Sequence, residues 1–581
     1  MSGPSYFGPE GRRLFGWLSA PPAGVNARAA GVVLCNPFGF EALSMHRAYR
    51  HFAESFARAG FPALRFDYDG TGDSSGTDRD PERLRAWLDS IHAAAAELRA
   101  RAGVRDVHLF GVRLGATLAA TAAAERDGYA GLIGVVPVLQ PAILLRELAA
   151  LQDWAQLRKS PDGVTGVDAG DQEAAGFVIT APTIAELSAI NLARQTRAPA
   201  RCALVLDRSD RPGAEAWAAR LRELGVDVTV RSLAGFLELN VDPHKSVLPE
   251  SMIAAATEWL ATHAPDAGAT GEGKTLAVLE AEIEPGVVET ALRLGESQRL
   301  FAIVTSPKAS TRSVRAVLAL NAGAQHRIGP NRLWVAFARR WARLGVVTMR
   351  LDLSGLGDTP PRPGTKERAV YGPFGALDIA EAATCLREAW GARTVEVLGL
   401  CSGGYHAIKA AAGGAAIDGV VSINQEVFFW DPTSPEKVTG FRAVAETQRY
   451  REAALSLDSW RKLLRGQVHV QAASRIFRRR IVDLAAAGGR ILARDLRIPL
   501  PNDLATELRT IAKRTVQVRF LISAGEPVRE MLVEHAGGAV TELEGSGAIA
   551  IETAAGPDHT FTAVWTHQVL EMILERMLVL R

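Results

Sequence analysis

The chain has 581 residues, of which 48% are hydrophobic and 22% are charged, the balance of an ordinary water-soluble globular protein. A length of this order allows two large domains. The 66 basic residues nearly balance the 64 acidic ones, so the net charge of +2 gives no reason to expect a nucleic-acid partner.

The cysteine content and the N-terminal segment indicate a reduced, cytoplasmic protein with no membrane segment. Among Cys35, Cys202, Cys385 and Cys401 there is no CxxC pair and no metal-ligand spacing with histidine. The sequence therefore predicts neither a disulfide framework nor a metal site. The first residues lack the unbroken apolar run of a signal peptide, and no window approaches the length of a membrane-spanning helix.

The first half of the chain alternates short apolar runs with segments of helical spacing. The runs "AGVVLCNP" and "FPALRFDYDG" predict strands, whereas "RAYRHFAESFARAG" and "PERLRAWLDSIHAAAAELRARAG" predict helices that end at a glycine. This alternation predicts a mostly parallel sheet that is covered by helices on both faces. Reactive residues of such sheets lie beyond the carboxyl ends of the strands.

The second half repeats this pattern in the same order. "RFDYDGTGDSSG" is matched by "RLDLSGLGDT", and "VHLFGVRLGATLAA" is matched by "VEVLGLCSGGYHAI". A histidine follows late in each half, His244 in "NVDPHKS" and His559 in "AGPDHTF". We therefore predict a tandem duplication, with domains at 1–264 and 275–581 that are joined by a glycine-rich linker at 265–274.

The segment "VEVLGLCSGGYHAI" has the order strand, tight turn, helix. Within it Gly399, Cys401 and Gly403 have the spacing G-x-C-x-G, which places a nucleophile on a sharp turn between strand and helix. Side chains at the two flanking positions would clash with neighbouring backbone, so those positions require glycine. Ser402 does not fit this register, because only one of its own flanking positions is a glycine.

The two halves resemble the α/β-hydrolase family over nearly the whole chain, since nucleophile, acid and histidine positions follow one another in that family's order. More narrowly, "CNPFGFEALSMHRAYRHFAESFARAGFPALRFDYDGTGDSSG" and "LNAGAQHRIGPNRL" resemble the serine-aminopeptidase-like hydrolases of bacterial exopolysaccharide (exosortase-associated) and secondary-metabolite contexts. The resemblance implies two α/β-hydrolase-fold domains, each a mostly parallel sheet flanked by helices.

The resemblance also implies a catalytic triad in the second domain. Cys401 would be the nucleophile, and His559, between the last strand and the last helix, would be the general base. Glu526 lies just past a late strand, where the family more often has aspartate, and would be the acid that orients the histidine. Asp558 is an alternative acid, but it directly precedes His559, and adjacent side chains diverge.

The backbone N–H groups of Ser402 and of Ala322 or Gly323 would form the oxyanion hole. The family nucleophile is normally serine, so Cys401 is a departure that makes the intermediate a thioester. Thiol-to-thiol exchange is close to thermoneutral, which favours an acyltransferase between carrier-protein or CoA thioesters, as in cysteine members of the fold from nonribosomal peptide pathways. An ester or thioester hydrolase is the other outcome, and neither needs a cofactor. The alternative class is a non-catalytic binding or scaffold protein, in which Cys401 is an inert thiol.

The sharp turn between strand and helix that carries the nucleophile is called the elbow. The first half keeps both glycines of its elbow but places Arg113 between them. A guanidinium is permanently charged and cannot attack a carbonyl, so this half is predicted to be catalytically inactive. Asp210 and His244 occupy the acid and base positions of this pseudo-site. Arg113 is either held in an internal ion pair, with Asp210 or another carboxylate, or it binds a carboxylate or phosphate ligand.

A long insertion between "GVVSIN" and "VQVRFLIS" predicts a helical lid at about 427–512. The segment is strongly basic, for example in "SRIFRRRIVD". Its charges form either a solvated helix face or a dock for an anionic partner, such as a phosphopantetheine phosphate or an acidic carrier protein.

Overall fold

A computed structural model describes residues 2–154, 160, 163, 165–264, 276–308, 315–430 and 503–579. Two large sheets dominate these residues, one of eight strands and one of nine, and helices flank both. The predicted fold class, α/β with mostly parallel sheets, is therefore confirmed. No helix in these ranges is both long and apolar enough to cross a membrane.

The first sheet is built by the first 233 residues and is mostly parallel. Its strands and those of a small hairpin are β1 (Gly3–Phe7), β2 (Leu14–Ser19), β3 (Ala30–Cys35), β4 (Ala63–Phe66), β5 (Asp106–Val112), β6 (Tyr129–Val135), β7 (Gln172–Ala174), β8 (Phe177–Ile179), β9 (Cys202–Arg208) and β10 (Asp227–Leu233). The order in the sheet is β1-β2-β4-β3-β5-β6-β9-β10, and β7 pairs with β8 separately. Within the eight-stranded sheet the two pairings of β2 are antiparallel, and the other five are parallel.

The helices described in this half are α1 (Phe40–Arg58), α2 (Arg83–Ala102), α3 (Leu114–Glu125), α4 (Pro141–Trp154), α5 (Ala181–Ser188), α6 (Glu215–Glu223), α7 (Phe236–Leu239) and α8 (Glu250–His263). Two apolar clusters pack on opposite faces of the sheet strands. One contains residues of α2 and α3, and the other contains residues of α1 and α8. The first domain is therefore a sheet with a helical layer on each face.

The second sheet repeats the first strand for strand after one extra edge strand. Its strands are β11 (Glu280–Glu284), β12 (Val287–Leu294), β13 (Leu300–Pro307), β14 (Arg315–Ala319), β15 (Val347–Asp352), β16 (Thr394–Leu400), β17 (Gly419–Ile423), β18 (Gln517–Ser523) and β19 (Ile549–Ala554). The order is β11-β12-β13-β15-β14-β16-β17-β18-β19. The helices described with them are α9 (Leu333–Arg343), α10 (Gly375–Ala389), α11 (Ser402–Gly413), α12 (Leu504–Lys513), α13 (Val528–Ala536), α14 (Ala539–Gly545) and α15 (Val564–Met577).

Buried ion pairs join the two domains in a reciprocal pattern. Arg65 of the first domain donates to Asp358 of the second at 2.8 Å, and Arg350 of the second pairs with Asp73 of the first. Arg65 and Arg350 head the matching segments of the repeat, so the interface relates the domains as a two-fold axis would. Asp73 and Asp358 each also pair with the buried Arg327, so these contacts form one charged network across the interface.

The C-terminal boundary of the predicted lid is wrong. The segment from residue 504 forms α12, an amphipathic helix that buries Leu504, Leu508 and Ile511 in the main core beside β17 and β18. These residues belong to the helical layer of the sheet because their apolar side chains repeat at helical spacing. The predicted lid residues 431–502 and the predicted linker 265–274 lie outside the described residues.

Candidate active site

Cys401 lies at the turn between β16 and α11. Its φ of 55° and ψ of −112° are unusual for a residue with a side chain, and its N–H donates to the carbonyl oxygen of Ile423 at 2.8 Å. A Cβ at Gly399 would collide with the carbonyl carbon of Gly403, and one at Gly403 would lie 2.8 Å from the Asn321 carbonyl oxygen. The flanking glycines therefore permit a strained turn that places the thiol at the carboxyl end of β16.

His559 lies on the loop between β19 and α15, where its Nδ1 faces two carboxylates. Glu526 Oε2 is 3.5 Å from this nitrogen and Glu426 Oε1 is 3.6 Å from it. The Sγ of Cys401, a carboxylate oxygen of Glu426 and a ring nitrogen of His559 all lie within 4.8 Å of one another. Because Nδ1 faces the carboxylates, Nε2 is the ring nitrogen left to serve the thiol. The structure thus brings together Cys401, His559 and Glu526, and adds Glu426.

The surroundings of His559 favour its protonated form. Burial disfavours the charged imidazolium, but interactions with Cys401, Glu526 and Glu426 outweigh it and raise the pKa of His559 to about 11. An imidazolium beside a thiol is the arrangement that supports an ion pair between the two groups. The site is therefore poised to hold a proton on the histidine at neutral pH.

A buried polar network holds the histidine loop in place. The Nδ2 of Asn424 donates to the carbonyl oxygen of His559 at 2.7 Å, and its Oδ1 accepts from the Ser523 N–H at 2.7 Å. Asp558 Oδ1 accepts from the Thr562 N–H at 2.7 Å. The alternative acid of the sequence analysis therefore caps a local turn, whereas the two glutamates face the imidazole.

One of the predicted oxyanion donors is engaged within the protein. The Gly323 N–H donates to the Ser402 hydroxyl at 3.0 Å. Ser402 is the first residue of α11, so its own N–H belongs to the donors that a helix leaves unsatisfied at its N-terminus. Gly323 would become available to a substrate carbonyl only by leaving the Ser402 hydroxyl.

Two residues near the thiol were missed by the sequence analysis. Glu426 follows the carboxyl end of β17 in "INQE". Reactive residues of parallel sheets lie beyond such ends, so the sequence position could have indicated this residue. Tyr371 lies before α10, and no sequence pattern points to it. Burial, followed by its interactions with Cys401, raises the pKa of Tyr371 well above the ordinary range, so its hydroxyl stays protonated.

Two aromatic rings pack against the side chain of Tyr371. The ring of Tyr371 stacks on Trp430 with centroids 4.8 Å apart, and it meets Tyr405 edge-on at 5.2 Å. Such pairs hold their members in fixed orientations. These rings therefore form a rigid apolar wall next to the thiol.

The corresponding turn of the first domain has the same backbone and different contacts. Arg113 lies between β5 and α3 with φ of 55° and ψ of −123°, and its Nε donates to Glu41 Oε1 at 3.1 Å. Asp210 pairs with the nearby Arg208, and His244 pairs with a carboxylate two residues earlier. The structure therefore does not bring Arg113, Asp210 and His244 together. The ion pair to another carboxylate is the arrangement that Arg113 adopts.

Comparison with known proteins agrees with this architecture. A family model described as serine aminopeptidase, S33 (Hydrolase_4) matches residues 31–185. The match covers less than half of the chain. The matched residues lie in the domain whose elbow holds Arg113, so the match leaves the chemistry of Cys401 open. No curated protein matches the chain.

Solved structures of other proteins are similar to part of this chain. Est1E from Butyrivibrio proteoclasticus is 20% identical, with 45% of this chain and 98% of that chain covered and a TM-score of 0.32. Proline iminopeptidase from Mycobacterium smegmatis is 15% identical, with 45% and 98% covered and a TM-score of 0.32.

Proposed function

We propose that the second domain forms an acyl-enzyme on Cys401 from an ester or a thioester. One observation carries the proposal. His559 has its Nδ1 between two carboxylates, which leaves Nε2 for a thiol that a strained elbow presents at the end of a central strand. Nucleophile, base and orienting acid in this order are the parts that covalent catalysis requires.

The reaction would proceed in two steps. The sulfur of Cys401 attacks the carbonyl carbon, so a C–S bond forms and the carbonyl oxygen becomes an oxyanion near the N–H groups of Ser402 and Ala322. The imidazolium of His559 then gives its proton to the departing oxygen or sulfur as that bond breaks. In the second step His559 takes a proton from water or another thiol, which attacks the thioester and releases Cys401.

Glu526 is the proposed orienting acid of this triad. Its side chain is 16% exposed, whereas that of Glu426 is 35% exposed, so solvent screens Glu526 less. Both carboxylates stabilise the imidazolium, but the less exposed one holds the ring orientation more strongly. Glu426 then stands at the open side of the site, beside the thiol.

Transfer of the acyl group to another thiol is the favoured outcome, and hydrolysis is the other. Exchange between two thioesters conserves the bond type, so the equilibrium imposes no penalty on a CoA or carrier-protein acceptor. The rigid aromatic wall of Tyr371, Tyr405 and Trp430 supports an apolar acyl group on the donor. A carrier-protein or CoA partner remains part of the proposal.

A non-catalytic binding protein is the second candidate, and one observation favours it. The hydrogen bond from the Gly323 N–H to the Ser402 hydroxyl closes one oxyanion donor. The loss of a single such donor typically costs about 2.7–4 kcal/mol of transition-state stabilisation. In the first domain the same turn conformation holds Arg113, so the conformation alone does not imply a nucleophile.

The experiment that tests the proposal is acylation of the whole protein by a panel of acyl-CoA thioesters, read by peptide mass spectrometry. The proposal predicts an adduct on Cys401 that Cys401→Ala and His559→Gln abolish. Cys385→Ser is the matched control, because Cys385 is also a free, half-buried thiol. No adduct on Cys401 with any donor would leave the binding-protein reading in place.

The lifetime of the adduct separates transfer from hydrolysis. A transferase retains the acyl group in buffer and discharges it when a thiol such as pantetheine is added. A hydrolase loses the adduct in water at a rate that added thiol does not change.

A further inference from the structure

A cavity of about 320 Å³ lies between the two domains, and neither Cys401 nor Arg113 lines it. Its walls come from the start of α1, the loop after β4, the β7–β8 hairpin, α9 and α15. A volume of this size is at the lower end of small-molecule sites, which occur preferentially at domain interfaces. The cavity is therefore a second place where the protein could hold a ligand.

One wall of the cavity is a row of aromatic rings. Phe38 contacts Trp87 with ring centroids 5.8 Å apart and Phe177 with centroids 6.1 Å apart. All three residues line the cavity. Their ring faces carry the negative end of the aromatic quadrupole, which attracts an ammonium group and accommodates an apolar body.

A carboxyl group that makes no salt bridge among the described residues faces the same space. Asp67 accepts the Asp73 N–H at 2.9 Å through Oδ2, and among the described residues no salt bridge joins Asp67 to a cation. Burial and the neighbouring Asp73 raise the pKa of Asp67 to about 6. The positive charge of Arg327 offsets part of this effect, and a cation placed in the cavity would offset more of it.

The arginines that line the cavity donate hydrogen bonds to backbone carbonyl oxygens. Arg332 donates to the carbonyl oxygens of Gly72 at 2.7 Å, Ser74 at 2.7 Å and Gly76 at 2.9 Å. Arg79 donates to the Gly166 carbonyl oxygen at 2.6 Å. These hydrogen bonds to neutral carbonyls fix the direction of the guanidiniums but leave their positive charge in place, so the preference for a cation depends on Asp67 and the aromatic rings.

Three histidines line the cavity, of which His46 lies 3.5 Å from Asp358 and the other two are neutral. Burial keeps the pKa of His326 well below its ordinary value and lowers the pKa of His567 to about 4, so neither adds positive charge at neutral pH. His326 is 6% exposed, and its buried Nδ1 has no hydrogen-bond partner within the described ranges. An unpartnered polar atom in a buried side chain is the kind of group that a bound ligand satisfies.

We propose that this interdomain cavity binds a small primary amine with an aromatic or branched apolar body. The ammonium lies against the Asp67 carboxylate, and the body packs on Phe38, Trp87 and Phe177. The site is separate from the thiol and does not depend on the acyl-transfer proposal.

Calorimetric titration of the whole chain tests the site, after Cys401 has been blocked with iodoacetamide so that the thiol site cannot bind the probes. The probes are three molecules of similar shape: 2-phenylethylamine, 2-phenylethanol and 3-phenylpropionate. The amine is expected to bind at least tenfold more tightly than the alcohol, and the carboxylate is expected not to bind. Absence of amine binding, or equal binding of the carboxylate, would overturn the proposal.

Three variants locate the binding. Ala336 is an exposed residue of α9 at the cavity, so Ala336→Phe fills the space without disturbing the core and should weaken amine binding at least tenfold. Ala96→Phe, on an exposed position of α2 away from the cavity, is the matched control and should bind normally. Asp67→Asn should reduce the affinity for the amine to that for the alcohol. Unchanged amine affinity in both Ala336→Phe and Asp67→Asn would refute the site.

Discussion

Replacing Glu526 by glutamine should lower the pKa of His559 by about one to three units. A unit charge 3.5 Å from the imidazolium is worth about 1 kcal/mol at the dielectric constant of water and about 5 kcal/mol at an effective value of about 20. Glu526 is 16% exposed and lies between these limits. One pKa unit corresponds to about 1.4 kcal/mol, which gives the stated range. Glu426→Gln removes a charge that is 35% exposed, so its effect should be smaller.

Histidine-selective NMR measures this effect directly, because the Cε1 shift of each imidazole reports its protonation. The chain has 12 histidines, and a His559→Gln variant assigns the resonance. In the unmodified protein the His559 signal should stay in its protonated position from pH 6 to beyond about pH 9. If Glu426→Gln lowers the titration midpoint and Glu526→Gln does not, then Glu526 is not the orienting acid.

Three further predictions concern the elbow, the interface and the buried carboxyl. Gly399→Ala should destabilise the protein by about 1–3 kcal/mol in urea unfolding, since its Cβ collides with backbone, whereas Gly413→Ala meets open space and should be neutral or stabilising. Arg350→Met should cost about 3–5 kcal/mol in the same assay, because it removes one of the two arginines paired with buried Asp73 and one of the two paired with buried Glu289, and a loss below 1 kcal/mol would contradict this role of the interface. Asp67 has a folded pKa of about 6 against an ordinary 3.8, so the native state binds its proton more tightly, and stability is lost as pH rises through that window. Asp67→Asn should therefore gain up to about 3 kcal/mol over the unmodified protein at pH 7 and little at pH 4, measured by urea unfolding at both values.

Much of the fold was predictable from local patterns. Alternating apolar runs and helical segments predicted the parallel sheets, and the G-x-C-x-G spacing located the turn at Cys401, because a strand–turn–helix junction imposes its glycines locally. The helix α12 was assigned to the lid because an amphipathic helix looks the same in sequence whether its apolar side covers a sheet or a substrate. Only the tertiary packing of Leu504 and Leu508 decides between these.

The site was predictable in outline and not in detail. His559 and Glu526 could be placed because each follows a late strand, whereas Tyr371 reaches Cys401 from a loop whose path depends on the whole domain. The sequence left open whether Arg113 forms an internal ion pair or binds an anionic ligand. The ion pair with Glu41 depends on where α1 lies relative to the turn. Long-range contacts of this kind leave no periodic signal in the sequence.

The most direct test of the central claim is the rate at which iodoacetamide alkylates each of the four cysteines, read by peptide mapping of the whole chain. Cys401 should react much faster than Cys385, and His559→Gln should remove this difference. Cys401 labelling no faster than Cys385, with no change in His559→Gln, would contradict the claim that the second domain carries an activated thiol.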